Sequence, residues 1–240
     1  MFKIIKALLL QKKQLIKNIR TVKMRDNFKG LPVISSSTNL EECEKVCPTG
    51  AFRDGRIDLG KCTFCCECER VSGGAVTFTT NNRMGADKRE NLVTSGIINP
   101  MEVKVKIQKM FGRSLKLRQV SAGGCNSCEM ELNACSNANF DIGRFGIEFV
   151  ASPRHADGIV ITGPVTKNMA KALEKTFEAV PEPKIIVAVG ACAISGGIYQ
   201  DSEEIDRTFF EKHTPDLFIP GCPAHPLVIA NAILDYLGKK

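Results

Sequence analysis

The chain has 240 residues, a net charge of +7, 43% hydrophobic residues and 11 cysteines, so it is a globular chain of one or two domains and not a disordered one. Nucleic acid is disfavoured as a partner: the basic residues lack interleaved aromatics and no binding motif accompanies them. An odd number of cysteines, grouped as C-x-x-C and C-P, argues against a disulfide framework and for metal thiolates in a reducing, cytoplasmic setting.

In residues 1–25, Lys3, Lys6, Lys12, Lys13, Lys17, Arg20, Lys23 and Arg25 are interspersed with Ile5, Leu8, Leu9, Leu15, Ile16, Ile19 and Val22 near helical spacing. This predicts a basic amphipathic helix, suited to an anionic membrane surface or to a partner subunit. The plainer alternative is a solvated helix packed on its own protein. The apolar core, Ala7 to Leu10, is short for a signal peptide, and no small-residue cleavage site follows. No stretch reaches the roughly 18 apolar residues of a membrane span. Residues 26–80 read as a small cysteine-rich domain. Residues 81–113 read as a connector, polar at first and helical near its end.

Residues 114–240 have the rhythm of an α/β domain. Strands are predicted at Leu115–Val120, Ile147–Ala151, Gly158–Thr162, Ile185–Val189 and Leu217–Ile219. Helices are predicted from Glu129, over Met169–Val180 and over Leu227–Leu237. The alternation implies a largely parallel sheet with covered faces. Cys125 and Cys128 follow the first strand, Cys192 follows Ile185–Val189, and Cys222 follows Leu217–Ile219. Open α/β sheets place ligands beyond the carboxyl ends of their strands, so these four thiols are expected to converge. Four soft sulfur ligands suit zinc or an iron–sulfur cluster. Zinc commonly takes two close pairs, whereas here one pair joins two distant singles in glycine-rich loops, which favours a cubane.

The segments AGGCNSCEMEL, RFGIEFVASPRHADGIVITGPVTKNM, VAVGACAISGGIY and IPGCPAHP resemble the small subunit of group 4 [NiFe] hydrogenases, a family homologous to the complex I subunit carrying the last cluster before quinone. The resemblance spans about residues 112–240 and implies a flavodoxin-like fold. It also implies that Cys125, Cys128, Cys192 and Cys222 bind a proximal [4Fe–4S] cluster facing a catalytic large subunit. The C-x-x-C spacing of Cys125 and Cys128 matches the hydrogenase branch; complex I proteins carry adjacent cysteines there. A related group whose large subunit has lost nickel is the competing reading.

The N-terminal cysteines are read against the two-cluster ferredoxin repeat C-x2-C-x2-C-x3-C-P, in which the fourth cysteine serves the other cluster. Aligned on Cys47-Pro48, the first repeat supplies Ser37, Leu40 and Cys43; the second supplies Cys62, Cys65, Cys68 and then Ser72. One cluster would need Ser37, Leu40, Cys43 and Ser72, which hold one thiol. The other needs Cys62, Cys65, Cys68 and Cys47, and all are present. The expectation is an α+β ferredoxin-like domain with one cluster kept and one lost, hence two [4Fe–4S] clusters in the chain. ECEKVCPTGAF and DLGKCTFCCECERV resemble the eight-iron ferredoxin-like subunit found beside the small subunit in these complexes.

Cys43, Cys66 and Cys135 are read as structural. Glu129, beside Cys128, is weighed evenly between a helix-start carboxylate and, by the family resemblance, a residue on a proton path. Glu131 is weaker. Arg154 and His155 are candidates for tuning the cluster or lining the subunit interface, and His213 and His225 carry no motif. No nucleotide-phosphate loop follows a strand.

The function expected is electron relay between a ferredoxin, or another iron–sulfur subunit, and a hydrogenase-type large subunit. The complex is expected at the cytoplasmic face of a membrane, with or without membrane subunits. The rivals are a nickel-free, complex I-like relay and a zinc-stabilised binding module without redox function.

Overall fold

The computed structural model of the chain describes residues 4–6, 9, 15–35, 40–103 and 105–239. The N-terminal half holds β1 (Pro32–Ile34), α1 (Leu40–Val46), β2 (Phe52–Arg53), β3 (Arg56–Asp58), α2 (Glu67–Val71), β4 (Val76–Phe78) and β5 (Val93–Thr94). β1 pairs antiparallel with β4, and β2, β3 and β5 form a second antiparallel ribbon. After α3 (Val105–Phe111), the C-terminal half runs β6 (Leu115–Ser121), α4 (Ser127–Cys135), β7 (Ile147–Phe149), β8 (Gly158–Thr162), α5 (Lys167–Ala179), β9 (Ile185–Val189), α6 (Gly190–Ser195), α7 (Thr208–Lys212), β10 (Leu217–Ile219) and α8 (Pro226–Tyr236).

The five strands of the C-terminal half form one all-parallel sheet in the order β10-β9-β8-β6-β7. Numbered within this half and read from its other edge, the order is 2-1-3-4-5, the flavodoxin-like doubly wound arrangement. Ile159, Val160 and Ile161 in β8 and Val187, Ala188 and Val189 in β9 are fully buried. That is why these strands read as unbroken apolar runs: both sheet faces are covered. Burial of each such large aliphatic side chain contributes about 1.5–3 kcal/mol.

α5 is amphipathic and presses Leu173 into the core; it ends before Pro181, which cannot continue it. α8 is buried nearly all round and lies on the sheet. Pro226 sits in its first turn, where a missing N–H costs nothing, and His225 Nδ1 caps it by accepting from the Leu227 N–H at 3.1 Å.

One expectation is corrected. Residues 4–6 and 9 are helical, but residues 15–25 are turns and extended chain, so the predicted helix does not reach residue 25; the rest of residues 1–14 lies outside the described set. Tertiary contacts claim those side chains instead. Ile19 is buried. Arg20 pairs with Asp235 at 2.9 Å and donates to the Asn231 side chain at 3.1 Å and to the Lys239 carbonyl. The connector has the helix expected near its end, α3, and its earlier part packs on both halves. Ala86 bridges Phe218 of β10 in antiparallel fashion, β5 completes the N-terminal ribbon, and Arg83 pairs with Asp235.

Asn231 holds this seam, donating to the Ile19 carbonyl at 3.1 Å and to Asn82 Oδ1 at 3.2 Å while accepting from Arg20. Replacing it with leucine strands buried polar groups and costs about 1–3 kcal/mol. Thermal unfolding of Asn231→Leu is therefore expected at a lower midpoint; an unchanged midpoint refutes this account of the seam.

Candidate metal–thiolate sites

At the carboxyl edge of the parallel sheet, three loops deliver cysteines. Cys125 and Cys128 stand at the β6–α4 junction, Cys192 in the first turn of α6 after β9, and Cys222 after β10. This edge of such a sheet, near the point where strand order reverses, is where ligands bind. Asn126 takes a left-handed conformation at the start of α4 (φ 67°), which asparagine tolerates better than most residues, and so turns the C-x-x-C loop.

The four sulfurs lie within electrostatic reach of one another. Burial, then the charges of Glu129, Cys192 and Cys222, push the Cys128 thiol up to about 12, against a hydrogen bond from the Ala224 backbone. Burial, then Cys222 and Cys125, push Cys192 up to about 11. Burial raises Cys222 as well. Cys125 is exposed and is held below its ordinary value by its hydrogen bonds with Ser127, the side chains meeting at 3.4 Å.

Space at this edge is set by glycine. Gly190 has φ 87°, and a Cβ there would stand 2.6 Å from Cys128 Sγ. A Cβ on Gly124 would stand 2.9 Å from the Gly163 Cα. The backbones are thus drawn in tightly around the sulfurs.

The N-terminal half builds a second set. Cys47, Cys62, Cys65 and Cys68 line one cavity, together with Phe52, Ile57 and Phe78. Burial, then Cys68, Cys47 and Cys65, raise the Cys62 thiol far above its usual value. Burial, then Cys43, Cys47 and Cys65, push Cys68 up to about 12. Backbone N–H groups already point at sulfur here: Ala51 and Phe52 donate to Cys47 Sγ at 3.2 and 3.4 Å, and Phe64 donates to Cys62 Sγ at 3.3 Å. Donors of this kind stabilise bound thiolates.

The spare residues are engaged elsewhere. Cys43 is buried and donates to the Cys68 carbonyl at 3.4 Å. Ser72 accepts from the Val76 N–H at 3.0 Å and donates to the Glu69 carbonyl at 3.0 Å. Leu40 opens α1, and Ser37 lies outside the described residues. Cys66 contacts the Phe64 carbonyl, and Cys135 is buried in α4 facing the Pro226 carbonyl.

Glu129 is buried and accepts from Ser121 Oγ at 2.6 Å and Thr162 Oγ1 at 2.8 Å, so it ties β6 to β8 next to Cys128. Glu131 lines a cavity of about 260 Å³ with Phe28, Phe64, Cys222 and His225. Arg154 and His155 stand just before β8, at the amino end of the sheet, and are exposed. They are on the opposite side from the cysteines, so the expectation that they tune a cluster by hydrogen bonds fails. His213 is held by Glu174 at 3.4 Å and by Phe177, and His225 is a helix cap between Phe28 and Phe140.

The two thiol sets face each other. Phe64, next to Cys65 in one set, lines the same cavity as Cys222 of the other. The halves are joined beside them: Gln200 donates to the Thr49 carbonyl at 3.3 Å, and a Cβ on Gly60 would meet Ile194 at 2.7 Å. Sequence reading missed this join, and it also missed Arg207, whose guanidinium donates to the carbonyls of Ala193 and Ile194 at 2.9 and 3.0 Å.

Among the described residues, no group of three or more His, Cys, Asp or Glu is arranged to hold a single metal ion. The donor set on each side is sulfur alone, backed by glycine and by N–H donors. That chemistry fits an iron–sulfur cluster. A flavodoxin-like sheet with sulfur donors at its carboxyl edge belongs to the class of metal–thiolate redox subunits.

Comparison with known proteins supplies the family. The family model described as NADH ubiquinone oxidoreductase, 20 kDa subunit, matches residues 125–236. A probable membrane-bound hydrogenase subunit of Pyrococcus furiosus is 37% identical over 131 residues, 55% of this chain and 78% of the relative. Formate hydrogenlyase subunit 7 of Escherichia coli is 40% identical over 151 residues, 60% of this chain and 59% of the relative. An NADH-quinone oxidoreductase subunit of Geotalea daltonii is 41% identical over 120 residues, 49% of this chain and 70% of the relative. The chain belongs to the family of the 20 kDa subunit of NADH ubiquinone oxidoreductase, an iron–sulfur subunit family, as its cysteine motifs led one to expect.

Gly190→Ala forces a methyl group against Cys128 Sγ. Overpacking of this sort costs about 1–3 kcal/mol. The variant is expected to retain less iron than the wild type on anaerobic purification, and full iron retention counts against the close packing argued for Gly190.

Proposed function

We propose that this chain is the electron-relay subunit of a hydrogenase-type complex and that it holds two [4Fe–4S] clusters. Cys125, Cys128, Cys192 and Cys222 hold the one next to the catalytic large subunit. Cys47, Cys62, Cys65 and Cys68 hold the other, in a ferredoxin-like domain that has given up its second cluster. The observation that carries the reading is the placement of the two sets: Cys47, Cys62, Cys65 and Cys68 line one cavity, and Cys125, Cys128, Cys192 and Cys222 stand on three loops at one edge of the parallel sheet.

Bound clusters supply one-electron redox chemistry. The residues do the rest. Glycine-lined backbone holds the sulfurs at fixed positions, apolar residues such as Phe52, Ile57 and Phe78 keep water from the N-terminal set, and amide donors offset thiolate charge. The Gln200–Thr49 contact and the packing of Gly60 on Ile194 hold the two halves together. Most thiols are raised by burial, so they carry protons at neutral pH until metal displaces them, and loading is favoured as pH rises.

The partners follow from the relatives: a large subunit, a ferredoxin or ferredoxin-like donor, and membrane subunits with the chain peripheral on the cytoplasmic side. Among the described residues no helix is long and apolar enough to cross a membrane. A hydrogenase-type large subunit is favoured by the C-x-x-C spacing and by the Pyrococcus and Escherichia relatives. The second reading, a nickel-free complex I-like partner, draws on the quinone oxidoreductase relative. Nickel analysis of the intact complex separates them.

The relay is tested on anaerobically purified protein by iron analysis and EPR. The wild type is expected to hold about eight irons, and Cys47→Ser or Cys192→Ser about four, each variant losing a different reduced signal. Cys43→Ser is expected to keep both signals. A wild type with far fewer than eight irons, or a Cys47→Ser variant with both signals intact, removes the two-cluster reading.

A further inference from the structure

Arg207 packs against the helix that carries Cys192. It sits between Asp206 and Thr208, just before α7. Its guanidinium donates to the carbonyl of Pro164 at 3.2 Å, of Cys192 at 3.4 Å, of Ala193 at 2.9 Å and of Ile194 at 3.0 Å. It also stacks over the Phe210 ring at 4.3 Å. No carboxylate among the described residues pairs with it; the neighbouring Asp206 is engaged by Thr208, accepting its N–H at 2.9 Å and its hydroxyl at 2.6 Å.

A guanidinium in this position is costly unless something negative faces it. Two groups do. One is the carbonyl end of α6, whose last turn presents the Ala193 and Ile194 oxygens. The other is Cys192 itself, whose carbonyl accepts from the guanidinium at 3.4 Å. A guanidinium keeps its proton in proteins, so the cation persists. Arg89 is itself offset by Asp58 at 2.6 Å.

The same side chain braces a strained turn. Val165, a β-branched residue, is held at φ 65°, where such residues are rarely found. It lies next to Pro164, which accepts from Arg207, and its own carbonyl accepts from the Asp206 N–H at 2.7 Å. The Arg207 fork therefore links the loop after β8 to the helix that carries Cys192.

We propose that Arg207 is a positioning residue that sets the reduction potential of the C-terminal site, by holding a positive charge against Cys192. Reduction adds one electron and no proton to the group held there, making it one charge more negative. A fixed cation beside Cys192 favours the reduced state, and the planar fork keeps that cation at one distance. This rests on the cluster assignment proposed above.

The test is an EPR-monitored potentiometric titration, with dithionite as reductant, of the purified protein holding both clusters. Arg207→Gln is expected to keep its iron and to make the C-terminal centre harder to reduce by roughly tenfold in the one-electron equilibrium, about 59 mV. The N-terminal centre is expected to keep its midpoint. Arg207→Lys, which retains charge and loses the fork, is expected to stay near the wild type. An unchanged midpoint in Arg207→Gln, an equal shift of both centres, or a lysine variant displaced as far as the glutamine variant overturns the proposal. Should Arg207→Gln lose its iron, Arg207→Lys decides alone: a wild-type midpoint supports the charge, and a displaced midpoint refutes it. A wild type that lacks two signals is a failure of the cluster assignment and is visible before any variant is compared.

Discussion

Everything in the C-terminal half answers to one constraint: three loops must bring four thiols to a single edge of a parallel sheet without their own bulk keeping them apart. The doubly wound topology brings the loops to that edge, since every strand points the same way and every exit loop opens on the same side. It does not by itself bring them close enough. Close approach comes from Gly190, where any side chain would collide with Cys128, and from Gly124 against Gly163. Buried Glu129 then ties the hydroxyls of Ser121 and Thr162 together beside them. The sheet contributes direction, and glycine and hydrogen bonds contribute distance.

The thiols so gathered are an electrostatic liability on their own. Burial raises Cys62, Cys68, Cys128, Cys192 and Cys222 together, and each charge opposes its neighbours. A site of this kind is stable with protonated thiols or with cationic metal, and unstable with bare thiolates. The N–H donors on Cys47 and Cys62 and the cation at Arg207 lie where they offset that charge. Folding of each half and the loading of metal are then parts of one equilibrium.

In the N-terminal half the spare cysteine and serine are taken up by the backbone. Cys43 has turned inward and bonds a backbone carbonyl, and Ser72 commits its hydroxyl to Val76 and Glu69. Neither is left polar and unpaired in the core. The cavity lined by Cys47, Cys62, Cys65 and Cys68 also holds Thr49, which accepts from Gln200 of the C-terminal half. The basic N-terminal segment is tied down in a similar way: Arg20 closes on Asp235 and Asn231, clamping residues 15–25 onto α8.

Much of this was readable in the residues. β8, β9 and β10 declare themselves because strands buried on both faces are continuous apolar runs, and Pro181 and Pro226 punctuate their helices through backbone chemistry that needs no partner. The eight candidate thiols were legible from spacing, because a ligand set must sit on short loops at fixed offsets. What depends on contacts between distant residues was not legible. The helical spacing in residues 15–25 gave way to tertiary contacts with Asp235 and Asn231, and the polar connector became part of two sheets. Arg154 and His155 sit in a suggestive motif yet fall at the far end of the sheet, since a strand's direction decides which of its ends meets the thiols. Arg207, the cavity that Phe64 shares with Cys222 and the collision that Gly190 avoids follow from how separate loops pack, and packing is a property of the folded chain alone.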